Sequence, residues 1–395
     1  MKSRAIYPPL GMTILLCLGT IYSWSVFKKP LEALFNVGAT ESGMPFMIFL
    51  ASFALAMPFA GFLIEKLGPR TTTIIGGVIV SAGWIIAGFA QSMSFISLAY
   101  GIIAGAGVGI CYGAPLAVSA KWFPDKKGLA LGITLVGFGL SAFITAPVAR
   151  YLIATYGPLE AFKILGASFL VIITICAFFL RFPKEGEIQV TPAQAAADAA
   201  ATQMTAGQMV KTPKFLGLWL CYTIGTLAGL MAIGITSPVG QDVIKLDAKT
   251  AAFMISLFAI FNGAGRPLFG YLTDKFGPKM SAIISYVLII VASGLTLLFS
   301  EGSVVLYIIS FATLWMILGG WLAIAPAATS SSFGAKNYAQ NYGFVFTAYG
   351  AGAILGSLVS GFLKDTFGSY LYTFYLTAAL GVLGIVIASA TFKQK

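Results

Sequence analysis

Gly61-Phe-Leu-Ile-Glu65-Lys66-Leu-Gly68-Pro69-Arg70 decides the fold, because the chain states it twice. Gly270-Tyr-Leu-Thr-Asp274-Lys275-Phe-Gly277-Pro278-Lys279 repeats the same order of residue types 209 positions later. Gly-Pro sets a tight turn between two helices. The leading glycine lets neighbouring helices approach closely. The acid suits the positive end of an adjacent helix, and the bases suit lipid headgroups. One copy is compatible with an ordinary turn, whereas two copies at matching places mark a repeated half. Gly132 and Gly139 recur in the same register as Gly343 and Gly350, at an offset of 211.

Both copies sit between long apolar runs. The stretches 9–30, 41–64, 71–91, 95–120, 126–154, 160–181, 215–240, 248–273, 279–299, 304–333, 338–364 and 370–392 each have the length and composition of a membrane-crossing helix. Only 9% of residues are charged, too few to cover the surface of a soluble domain of this size. The runs lack the short alternation of a membrane barrel. The first is too long for a cleaved leader, has no clear cleavage site and is followed by eleven like it. The expected fold is an all-α membrane protein of twelve transmembrane helices in two six-helix pseudo-repeats. The expected division is a bundle over 1–181, a cytoplasmic linker over 182–214 and a bundle over 215–395. Thr191-Pro192 would start a short helix over Ala193–Ala201 in that linker.

The net charge of +11 follows from topology rather than from nucleic-acid binding. With both termini cytoplasmic, sixteen of the 24 Lys and Arg fall on that side and seven on the other, as the positive-inside rule requires. Cys17, Cys111, Cys176 and Cys221 lie inside apolar runs, and histidine is absent, so no disulfide framework, metal site or cofactor is expected. No nucleophile or Walker motif marks an enzyme or an ATP site. With no organellar targeting segment visible, the expected location is a cell inner membrane.

The remaining cation, Arg266, lies in Phe261-Asn262-Gly263-Ala264-Gly265-Arg266-Pro267, eight residues before Asp274. At ~1.5 Å per residue it sits about 12 Å into the bilayer core. A charge there costs at least about 2.5–3.5 kcal/mol. Every Asp and Glu lies in a loop or near a helix end, so none shares its depth. An anion that comes and goes is the natural partner, and the planar guanidinium fork suits a carboxylate. The alternative is a bond to backbone carbonyls across the bundle. Asn262 lies one turn earlier on the same face, and Pro267 frees a carbonyl in this helix. Tyr22, Tyr112 and Tyr349 are mid-helix hydroxyls that need partners, either substrate or a neighbouring helix. Phe138 reads as a cavity wall or as plain packing. Lys28 and Lys29 read as headgroup anchors, or as cations that draw anions in.

The twofold loop resembles the hallmark of the major facilitator superfamily, with Glu65 where that family usually has aspartate. The resemblance covers essentially the whole chain. It implies transport by alternating access, with Gly61, Glu65, Arg70, Gly270 and Asp274 in the loops that latch the inner gate. Three further stretches are similar to the oxalate:formate antiporter and monocarboxylate transporter branches: Tyr22-Ser-Trp24-Ser-Val-Phe27, Lys121-Trp122-Phe123-Pro124 through Gly132, and Gln208-Met209 through Trp219. Both branches carry a carboxylate-binding arginine at the place of Arg266. Oxalate carriers add a lysine where this chain has Tyr349, and one cation suits one carboxylate. Many proton-coupled members carry an aspartate where this chain has Asn262. The resemblance thus implies a carrier of small monocarboxylates such as L-lactate with proton symport. An organic-anion exchanger and a non-transporting receptor remain the alternatives. Asp242, Glu32 and the substrate's own carboxyl are the candidates to carry the proton.

Overall fold

The computed structural model describes residues 4–123, 127–184, 187, 203–298, 303–334 and 337–392, apart from the side chains of Glu65 and of positions 127–129 and 339. The described residues are helical throughout their long elements and contain no strand. We number the helices α1 (Arg4–Phe35), α2 (39–67), α3 (69–87), α4 (Met93–Trp122), α5 (Lys127–Tyr156), α6 (Pro158–Phe178), α7 (Pro213–Asp242), α8 (248–276), α9 (278–297), α10 (Val304–Phe333), α11 (Tyr338–Phe367) and α12 (Tyr370–Thr391). The helix expected over Ala193–Ala201 lies outside the described residues. A short helix that the sequence did not announce, Ala206–Met209, is closed by reciprocal Thr205 and Gln208 caps.

The two Gly-Pro turns take one geometry. Gly68 has φ 78° and ψ 167°, and Gly277 has φ 79° and ψ 166°. Only glycine occupies that region without strain, so the residue type follows from the backbone. Helix is continuous on both sides of each turn, giving runs of 49 and 50 residues that fold back as α2–α3 and α8–α9. Two helices outrun the apolar stretches that announced them: α7 spans Pro213–Asp242 against 215–240 and α11 spans Tyr338–Phe367 against 338–364, whereas α10 fills the expected 304–333. α7, α10 and α11 each have 30 residues, about 45 Å, against a hydrocarbon core of ~30 Å. Hydropathy registers only the part in hydrocarbon, while the helix continues through the headgroup layer.

The chain alternates between two ends. The turns at Gly68 and Gly277, the described residues 181–184 and 203–212, and the two ends of the described chain, Arg4 and Phe392, share one, the termini end. The opposite, far end carries residues 36–38 and 243–247 and the left-handed turns at Gly157 and Gly368. α1, α7 and α10 are the most enclosed helices, whereas α2 and α12 are largely outward-facing. Exposed Phe59, Val171, Phe179, Tyr375 and Val382 make an apolar belt suited to lipid. Residues of 1–181 meet those of 215–395 along three seams: α2 with α11, α5 with α8, and α1 with α7.

Candidate functional site

Arg266 is 5% exposed on α8 and faces α5 across the second seam. Its Nη1 donates to the Leu135 carbonyl at 2.6 Å. The carbonyl bond weighed from sequence therefore exists, but it uses one arm only. Nε and Nη2 have no hydrogen-bond partner. Those two atoms form one edge of the guanidinium, the edge that takes a carboxylate through two parallel bonds. Asn262 donates to the Trp315 carbonyl at 3.0 Å and leaves its Oδ1 without a partner.

Gly139 makes this approach feasible. A Cβ there would lie 3.1 Å from Asn262 Oδ1, 3.1 Å from Gly263 Cα and 3.2 Å from Arg266 Nε. Its repeat mate Gly350 does the same on the other seam, where a Cβ would lie 2.8 Å from Ala54 Cβ. The sequence showed this pair as a repeat register and not as the reason an arginine fits. We expect Gly139→Ala to press its methyl on the guanidinium and lower transport about tenfold. Retention of normal transport by that variant, at matched protein levels, would contradict the role.

Aromatic rings from both sides surround the guanidinium. Phe138 lies 6.0 Å from Arg266 Cζ, within reach of a cation–π contact. Tyr22 and Tyr112 meet Phe138 edge-on at 5.2 and 5.4 Å. The Tyr22 and Tyr349 hydroxyls bond each other at 2.8 Å, joining α1 to α11. The Tyr112 hydroxyl approaches Arg266 without closing a hydrogen bond on Nε or Nη2. The structure thus brings Arg266, Asn262, Tyr22, Tyr112, Tyr349 and Phe138 to one place. It adds Phe53, whose ring is 5.2 Å from Tyr112, and Phe346, whose ring stacks on Tyr349 at 4.8 Å. Both were passed over because an aromatic residue in an apolar run carries no sign of which way it points.

The loop residues lie elsewhere. Gly61, Arg70, Gly270 and Asp274 are at the termini end, and Arg70 and Asp274 are exposed. The side chain of Glu65 is outside the described residues. Among the described residues neither Arg70 nor Asp274 enters an ion pair, and no contact brings them together. Near the same end Glu187 takes two bonds from the Arg181 guanidinium, at 2.7 and 3.0 Å. These bonds, led by Arg181, hold its carboxyl down to about 2. Glu187 therefore stays charged throughout pH 5–8, and the pairing is lost only as pH falls toward that value.

The two sides are also tied at the far end. Lys29 on α1 pairs with Asp242 on α7, and Lys364 reaches the same carboxylate at 3.4 Å. Lys28 is 3% exposed and bonds the Ala39 carbonyl and the Tyr370 hydroxyl. Lys28 is no headgroup anchor, because it points inward, where carbonyl and phenol oxygens replace the phosphates; Lys29, with its side chain 32% exposed, is taken up by the Asp242 carboxylate. Glu32 is engaged as well, accepting from Ser42. Asp365 on α11 accepts from the backbone N–H groups of Ala39 and Thr40, each at 2.9 Å, and from the Thr40 hydroxyl. Ser369 begins a turn, accepting from Leu371 N at 3.2 Å, that carries Tyr370 under Lys28.

The Major Facilitator Superfamily model matches residues 10–249 and 218–395. The chain is similar to the oxalate:formate antiporter of Oxalobacter formigenes, 29% identical over 383 residues, covering 95% of this chain and 88% of that protein. It is similar to monocarboxylate transporter 13 of Rattus norvegicus, 26% identical over 377 residues, covering 93% and 84%. Its fold matches the crystal structure of a bacterial homolog to the human lysosomal transporter Spinster in an inward-facing, unoccupied conformation, with TM-score 0.71 and 16% identity over 99% of this chain and 96% of that one. Family match, paired Gly-Pro turns and twelve-helix architecture agree over almost the entire length, and the chain belongs to the major facilitator superfamily.

Proposed function

We propose that this protein is a secondary active carrier of small monocarboxylate anions such as L-lactate, with proton symport. The bundles 1–181 and 215–395 rock about the Arg266 site in alternating access. The supporting observation is the free Nε and Nη2 edge of a buried arginine, set among aromatic rings and hydroxyls. Closing both ends around an unpaired cation is costly, and a bound carboxylate removes most of that cost. The single cation favours one carboxylate over two, and the packed rings favour a short chain. In this reading both termini face the cytoplasm of an inner membrane.

One observation favours a second reading, exchange of organic anions. No acid among the described residues faces Arg266, and histidine is absent from the sequence. Asp242 and Glu32 are held in far-end contacts. A carrier that must be loaded to close would exchange one anion for another without a proton. Uptake of labelled L-lactate into proteoliposomes distinguishes the two. Symport predicts accumulation under an inward proton gradient. Exchange predicts uptake only when the vesicles are preloaded with unlabelled lactate. Silence under both drives would remove lactate as substrate.

A further inference from the structure

The repeat makes one comparison available that neither half offers alone. At the far end the α2–α11 seam is zipped shut: a Cβ on Gly361 would lie 2.5 Å from Thr40 Cα. The matching α5–α8 seam carries Arg150 where the register places Gly361, at the same offset of 211. It is not zipped. A cavity of about 330 Å³ opens there, lined by Lys29 of α1, Arg150 and Ile153 of α5, Ser237 and Gln241 of α7, and Ala248 at the start of α8. That volume is in the range of small-molecule sites.

The charges around it are unequal in their partners. Lys29 is paired with Asp242. Gln241 donates to the Ser237 hydroxyl at 2.9 Å, leaving its carboxamide oxygen without a role in that bond. Arg150 has no ion pair or hydrogen bond among the described residues, and its Nε is shut off from solvent. A guanidinium on a cavity wall that makes no hydrogen bond or ion pair among the described residues, beside a second cation, is an arrangement that an anion completes.

We propose that this cavity is a vestibule site for a small carboxylate, held by Arg150 with Lys29 beside it, and loaded through the α5–α8 seam before the anion reaches Arg266. The inference rests on the function proposed above. Arg150 follows Leu135, the residue that Arg266 bonds, by fifteen positions on the same helix, so the two stations are about 22 Å apart along α5. Asp242 is the internal competitor. A carboxylate arriving at Arg150 lies next to Lys29 and draws it from Asp242, so that filling the vestibule loosens the contact tying α1 to α7.

The test is initial uptake of labelled lactate into membrane vesicles of both orientations. The expected result for Arg150→Gln is a half-saturating concentration raised about tenfold from the far face alone, the size of one charge-assisted bond. If Arg150→Gln does not reach the membrane, Arg150→Lys is measured instead; it keeps the charge without the fork and is expected to give about a threefold rise at the same face. An equal rise from both faces, or none, overturns the inference. So does a rise seen only in vesicles containing anionic phospholipid, which would assign the cavity to a lipid phosphate. A wild-type protein that carries no monocarboxylate from either face overturns the proposed function and the vestibule together. A transporting wild type matched by its Arg150 variants overturns the vestibule alone.

Discussion

Arg266→Ala is expected to lower carboxylate uptake by at least about thirtyfold. Truncating one partner of a buried charge pair costs about 2–5 kcal/mol, and each 1.4 kcal/mol is a factor of ten. Arg266→Lys should fall between the two, because an ammonium keeps the charge but not the two-point fork. Thermal stability separates this role from the structural alternative. If the Leu135 bond were the purpose of Arg266, its loss would destabilise the fold. If the arginine is kept for a ligand, the empty protein carries a buried, half-satisfied cation whose removal should leave the melting temperature unchanged or raise it. Uptake at the wild-type level, or a fall in uptake that merely tracks a fall in melting temperature, would sink the assignment.

How far the site was legible depends on which contacts are local. The Gly-Pro turns were readable because a backbone with φ near 78° demands glycine in place, whatever surrounds it. The distance of Arg266 from the Gly277 turn was readable because rise per residue converts sequence separation into length along a continuous helix. Rotation about the helix axis was not. A helix surrounded by lipid on one side and apolar neighbours on the other shows little contrast between its faces. The Leu135 carbonyl, 131 residues from Arg266, therefore gave no signal, and neither did the Tyr22–Tyr349 bond across 327 residues. The lysines failed for a related reason. Near the end of an apolar run Lys28 looks like a headgroup anchor, and only the three-dimensional arrangement shows Tyr370 beneath it. The internal repeat was the exception, because comparing matched positions recovers some of this long-range information. Gly139 against Gly350 locates the seams, and Arg150 against Gly361 shows where the seams differ.

The same comparison gives the second large effect, at Asp365. At the start of α8, Asp247 accepts from the N–H groups of Lys249 and Thr250, at 2.8 and 3.1 Å, and so caps its own helix. The matching residue before α2 is Gly38, which has no side chain to do so. Its place is taken by Asp365 from α11, and a Cβ on Gly38 would lie 3.1 Å from that carboxylate. The cap of α2 therefore exists only while α2 and α11 are together at the far end, whereas α8 keeps its cap in any conformation. A cap is worth about 1 kcal/mol, and a carboxylate at a helix N-terminus adds about 0.3–1 kcal/mol. Asp365→Ala should then favour far-end opening by about tenfold to thirtyfold. Ser360 lies on this seam and is 2% exposed, and the four native cysteines are buried. A Ser360→Cys reporter should react with a membrane-impermeant maleimide about ten times faster when Asp365→Ala is added. Adding Gly38→Asp as well restores a cap within α2 but not the tie across the seam, so thermal stability should recover while labelling stays fast. Labelling that returns to the slow rate with that third change would mean that Asp365 stabilises α2 alone, and that the seam is held shut by Lys29, Asp242 and Lys364 instead.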